Sequence, residues 1–100
     1  MDRSAFNRMS SLLQTREAVI SEARYDARAF GSWFIVVDTR PPLRVVWDGK
    51  DGWLYVQRRA DEIHTGNQVW ENLRILKNPP DYDEAITLVA DEIRLARGSA

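Results

Sequence analysis

The sequence contains no cysteine. Disulfides and thiolate-held metals are therefore excluded, and nothing in the chain asks for an oxidising compartment. Long hydrophobic runs are also missing; no segment approaches the roughly 18 apolar residues that a membrane span needs. The opening stretch, MDRSAFNRMSS, is too polar for the apolar centre of a signal peptide. A cytoplasmic location is the expectation. Charge of one sign is lacking too. The net charge is −1, divided as +3 over residues 1–60 and −4 over residues 61–100. Nucleic-acid binders carry a strong basic stripe, and none is present.

Signs of catalysis are equally sparse. Histidine occurs once, at His64, in a polar loop. A zinc site or a triad needs His beside further ligands or a nucleophile, and Glu62 is near it only in sequence. A solvated loop residue is the simpler reading. No GK[ST] follows a glycine-rich loop, so a phosphate cradle is absent. The carboxylates gather at helix ends and polar faces, where dipole and solubility account for them. A single sheet in so short a chain offers little cleft for a glycosidase-type carboxylate pair. No cofactor or metal is expected.

Four tryptophans in 100 residues are the conspicuous presence. A hydrophobic fraction of 44% with 29% charged residues is ordinary for one globular domain, taken here as 1–100. Trp buries much apolar area, and it is enriched both in cores and at interface hot spots.

Residues 4–29 carry Phe6, Met9, Leu13, Ile20, Ala23 and Ala27 at three- and four-residue steps, with no Pro or Gly between. This predicts one long helix, capped by Ser4 and closed by Gly31. Residues 32–38, SWFIVVD, predict a strand apolar on both faces. TRPP at 39–42 predicts a turn. In 43–48, Leu43, Val45 and Trp47 share one face, and Arg44, Val46 and Asp48 the other. DGKDG at 48–52 turns the chain, and 53–59 return as a strand with Trp53, Tyr55 and Gln57 on one face. Residues 60–68 are a polar loop. In 69–77, Val69, Trp70, Leu73 and Leu76 fit helical spacing, and a short helix is preferred to a fourth strand. Residues 82–97 predict a helix with Tyr82, Ile86, Val89, Ile93 and Ala96 inward. Asp81, Asp83 and Glu84 stand at its start, and Arg94 and Arg97 at its end. The expected class is α+β. A three-stranded antiparallel meander, four-stranded if 69–77 pairs, has the N- and C-terminal helices packed mainly on one face. The other face is then open.

The DGKDG run admits a cation-loop reading, but the alternating oxygens of an EF-hand do not continue beyond it. A hairpin turn is the better account. Trp47 and Trp53 flank this turn and pair across the strands if the tip is a five-residue loop. They then act either as a staple or as partner contacts. Arg44 and Arg58 are placed together on one sheet side, either as solvated cations or as part of a binding face.

The segments WFIVVD, VVWDGKDGWL and QVWENL, set between two terminal helices, resemble in layout the small cytosolic immunity proteins encoded beside contact-delivered bacterial toxins. The resemblance covers about residues 31–95 and implies a stoichiometric inhibitor of a toxin domain, with no chemistry of its own. It carries over no fixed site residues. The expected interface is the hairpin with Trp47, Asp48, Lys50, Asp51, Trp53, Tyr55 and Arg58. Alternatives are a self-associating accessory subunit, as a homodimer, and a small ligand-binding domain or enzyme.

Overall fold

The structure is a computed structural model and describes residues 3–15, 18–60, 66–67, 69–79 and 82–98. His64, Glu62, Asp81, most of the 60–68 loop and the side chains of Tyr82 and Arg97 lie outside the described residues. Helix α1 (Arg3–Thr15) is followed by five strands: β1 (Ile20–Asp26), β2 (Ser32–Val37), β3 (Leu43–Asp48), β4 (Trp53–Arg59) and β5 (Trp70–Lys77). Helix α2 (Tyr82–Gly98) ends the order. The strands form one antiparallel meander in the order β1-β2-β3-β4-β5. The α+β class is as expected. The sheet is wider than expected, because two segments that read as helix are its edge strands.

The first correction concerns residues 4–29. Met9 and Leu13 are buried as the periodicity requires, but the helix stops at Thr15. Ala18 N donates to Leu13 O at 3.0 Å, which satisfies one of the last carbonyls of the helix. The chain then extends, and Asp38 N donates to Val19 O at 2.8 Å. β2 is apolar on both sides and needs a second ladder partner. β1 supplies it, and this tertiary demand outweighs the helical propensity of Glu22, Ala23 and Arg24, which is only a weak determinant. Gly31 does take the left-handed conformation, φ 71°, with Phe30 at 58°. The pair closes the β1–β2 hairpin instead of a helix.

The second correction concerns residues 69–77. They pair with β4 along their length, with a register shift between Val56 and Gln57: Val56 faces Arg74, but Gln57 faces Asn72. Leu73 is therefore the extra residue of a β-bulge. The bulge lets Leu73 and Leu76 both pack against the core, although a regular strand would send them to opposite sides.

One buried cluster organises the molecule. It joins Met9 and Leu13 of α1 and Val89 and Ile93 of α2 to Ile35, Val45, Leu54 and Val56 of the sheet. All these strand positions lie on one face, so both helices cover the same side. Arg8 pairs with Asp83 where α1 meets the start of α2, and Arg74 Nε pairs with Glu92 Oε1 at 2.7 Å beneath α2. The Arg40–Pro41 bond in the β2–β3 turn is cis.

Candidate functional site: the helix-free face of the sheet

Alternation places Phe34 and Val36 of β2, Val46 of β3, and Trp53 and Tyr55 of β4 on the side away from the helices. Each is half-buried, and Ile75 on the same side of β5 is exposed. Cross-strand register makes rows of them: Phe34 lies opposite Val46, and Val46 opposite Tyr55, which faces Ile75. No described helix crosses this face.

The four tryptophans divide by parity. Trp33 and Trp47 are cross-strand partners on the covered side, and Phe6 of α1 meets Trp33 edge-on, 5.7 Å between ring centroids. Their exposures are only 2% and 6%. Both indole N–H groups are buried and find no hydrogen-bond acceptor among the described residues. Trp53 and Trp70 lie on the open side, and each ring carries a cation. Lys77 Nζ is 4.6 Å from the Trp53 centroid, and the Arg44 guanidinium carbon is 4.3 Å from that of Trp70. Such stacks hold flat aromatic surface in place.

Polar side chains order the space between the two stacks. Arg44 Nε donates to Gln57 Oε1 at 2.8 Å, and Gln57 Nε2 donates to Asn72 Oδ1 at 2.9 Å. This line of bonds spans three strands and fixes the guanidinium over Trp70. Partial burial lowers the Arg44 pKa from its ordinary value, while the Glu22 carboxylate works the other way. Arg44 remains a cation in any ordinary medium.

The DGKDG segment is a turn. Asp48 Oδ1 accepts from the amides of Lys50 and Asp51 at 3.0 and 3.2 Å. Gly52 N donates to Asp48 O at 2.8 Å, and Gly52 has φ 73°. The Asp48 carboxylate is thus spent on backbone amides, as an Asx turn requires. Among the described residues no three His, Asp or Glu side chains come together as a metal site.

Of the expected interface residues, the structure brings Asp48, Lys50, Asp51, Trp53 and Tyr55 together at one end of the open face. Trp53 and Tyr55 are ring neighbours, 6.2 Å apart. Trp47 does not join them. The register sets Trp47 opposite Leu54 and Asp48 opposite Trp53, so the two tryptophans are on opposite faces and cannot staple the hairpin. Arg58 does not join them either. It faces Leu43, on the covered side of the sheet, and pairs with Glu71 Oε2 at 3.1 Å. Arg44 and Arg58 are therefore not neighbours on one side; their strand positions have opposite parity. Phe34, Val46 and Trp70 belong to this surface but were not expected there, and Arg44, weighed as part of a binding face with Arg58, joins it without Arg58. The alternation of β2 and β3 already put Phe34 and Val46 away from the core. Trp70 was hidden by the bulge.

Partial desolvation raises the pKa of the Tyr55 hydroxyl above its ordinary value, and the nearby Asp48 and Asp51 carboxylates add to the shift. Near neutrality Tyr55 is a neutral phenol, able to donate or accept. A cavity of about 310 Å³ adjoins the face, between Arg24, Asp26 and Ala29 of the first hairpin and Phe34 and Val46 of the sheet. A larger groove of about 650 Å³ runs between the helices, beside Ser4, Ser11, Leu12 and Thr87. Leu12, Ile86 and the Arg8–Asp83 pair line it among short polar side chains, and it lacks the aromatic anchors of the sheet face.

Comparison with protein-family models, with curated proteins and with solved structures finds no match in any of the three. The open face is thus interpreted from its own chemistry.

Proposed function

We propose that this chain is a non-enzymatic protein-binding domain, and that it works as an immunity-type inhibitor which covers a toxin domain in the cytoplasm. One observation carries the reading: the helix-free face presents Trp53 and Trp70, each partly exposed beneath a stacked cation, beside Phe34, Val46 and Tyr55. An α+β domain ordinarily buries both sides of a strand as apolar as β2. Contiguous exposed apolar surface with a polar rim marks an interaction site. Aromatic and Arg anchors are the residue types that dominate binding energy. Asp48, Lys50 and Asp51 at the rim would steer the encounter.

The choice of an inhibitor, among protein binders, rests on the layout of the WDGKDGW hairpin between two terminal helices. A rigid sheet face suits a partner that must be covered quickly and held without turnover. The test is capture of a partner from the native cell, and rescue of growth when a toxin domain encoded beside this chain is expressed. Trp53→Ala with Lys50→Glu should abolish both while the circular dichroism spectrum stays native. Capture that persists in this folded variant refutes the open face as the interface. Growth that is not rescued by the parent chain refutes the inhibitor.

A further inference from the structure

We propose that the free edge of β1 is a dimerisation edge, and that its occupant is β1 of a second copy of this chain, paired antiparallel about Ala23. This goes beyond the proposed function, because the edge and the open face are different surfaces. β1 closes one end of the strand order and, among the described residues, pairs only with β2. Its central residues Glu22, Ala23 and Arg24 are exposed. Its outward backbone groups are therefore a template for a further strand.

What identifies the occupant is charge. Glu22 lies opposite Val36, and Arg24 opposite Phe34, so both stand on the helix-free side with Ala23 between them. A two-fold axis through Ala23 sets Glu22 against Arg24 of the second copy, and Arg24 against its Glu22. Two opposite-charge cross-strand pairs form, and Ala23 meets Ala23 where only a small residue stands. Shifting the axis to Glu22 sets glutamate against glutamate. Shifting it to Arg24 sets arginine against arginine and Glu22 against Asp26. Like charges directly opposite are unfavourable. Centring on Tyr25 brings Arg24 to Asp26 but keeps only the last residues of the strand in register. The edge thus selects one self-complementary register and resists its neighbours. Around this axis both helix layers fall on the same side, and the two open faces join into one ten-stranded surface.

Sedimentation equilibrium over a range of protein concentrations tests this. The parent chain should pass from monomer to dimer as concentration rises. Arg24→Glu alone, or Glu22→Arg alone, should weaken the dimer at least about tenfold, because each turns two attractive pairs into like-charge pairs. The exchange Glu22→Arg with Arg24→Glu restores complementarity and should restore the dimer. Unchanged circular dichroism confirms that each variant is folded. A parent that stays monomeric to about 1 mM, a dimer indifferent to the single variants, or a double exchange that fails to restore it overturns the proposal.

Discussion

Gly49 is the position at which the geometry of the candidate site can be tested most severely. A Cβ built there would sit 2.0 Å from the carbonyl oxygen of Phe30, 2.8 Å from its carbon and 3.3 Å from Ser32 N. No φ in the left-handed region is involved, so the objection to a side chain is purely steric. The obstacle is backbone in a fixed turn: Ser32 N donates to Ala29 O at 2.9 Å, and Gly49 N itself donates to Ser32 Oγ at 2.9 Å. The two hairpin tips are thus packed against each other through a residue with no side chain. Gly49→Ala must push them apart. Overpacking costs about 1–3 kcal/mol where neighbours can yield, and here they are main chain, so about 3 kcal/mol is expected. For a domain of this size each kcal/mol lowers Tm by about 4–8 °C, giving a drop of roughly 12–24 °C in a calorimetric or circular dichroism melt. Two companions separate sterics from backbone strain. Gly66 has φ 69° and nothing within 4 Å of a built Cβ; Gly66→Ala should cost only the left-handed penalty, about 1 kcal/mol. Gly52 has φ 73° and meets Asn78 Oδ1 at 2.6 Å, the movable end of a side chain. Gly52→Ala should therefore fall between the other two. A Gly49→Ala protein that melts within a few degrees of the parent, or above Gly66→Ala, would show that the tips are not in contact.

Two further outcomes follow from the division of the tryptophans and from the electrostatics beside them. Acrylamide or iodide should quench Trp53 and Trp70 but not Trp33 and Trp47, which are 2% and 6% exposed. Trp53→Phe with Trp70→Phe should accordingly leave a blue-shifted, quencher-resistant emission, and a double variant that quenches as readily as the parent contradicts the facial assignment. Tyr55, its pKa raised by partial desolvation and then by Asp48 and Asp51, should ionise above about 10, the ordinary value. Its folded pKa lies above the unfolded one, so its contribution to stability is intact below about pH 10 and is lost as the pH rises through the folded value. In an absorbance titration, Asp48→Asn with Asp51→Asn should bring the Tyr55 step down, identified by its disappearance in Tyr55→Phe; an unmoved step removes the carboxylates as a cause.

The centre of the sheet was legible because its strands keep strict alternation. Leu43, Val45 and Trp47 against Arg44, Val46 and Asp48, and Leu54 and Val56 against Trp53 and Tyr55, are divided by the structure as by the sequence. The two edges were not legible, and for a shared reason. Each carries a one-residue bulge, at Ser21 in β1 and at Leu73 in β5. A bulge adds one residue to the period of two, so same-face positions that flank it, such as Ile20 and Ala23 around Ser21, fall three apart, and the bulge residue Leu73 itself packs on the side of Leu76, three residues on. Both pairs then show the spacing of a helix turn. Gly31 misled in a related way, since a positive φ serves a helix end and a hairpin tip equally well.

The β5 bulge also explains why the candidate surface extends beyond the 48–52 hairpin. By inserting Leu73, β5 sends Leu73, Arg74 and Leu76 toward the helices and leaves Trp70, Asn72, Ile75 and Lys77 on the open side. Were the same residues paired without the bulge, Leu73 taking a regular place in the ladder, the parity of Trp70 would reverse. Its ring would turn toward the core, and the Arg44 guanidinium, held by Gln57 at 2.8 Å, would lie over no aromatic surface. An edge bulge that merely limited strand pairing would not need to place an indole beneath a fixed cation. The same irregularity that disguised β5 in the sequence thus assembles the second aromatic–cation stack, and with it the β5 side of the open face.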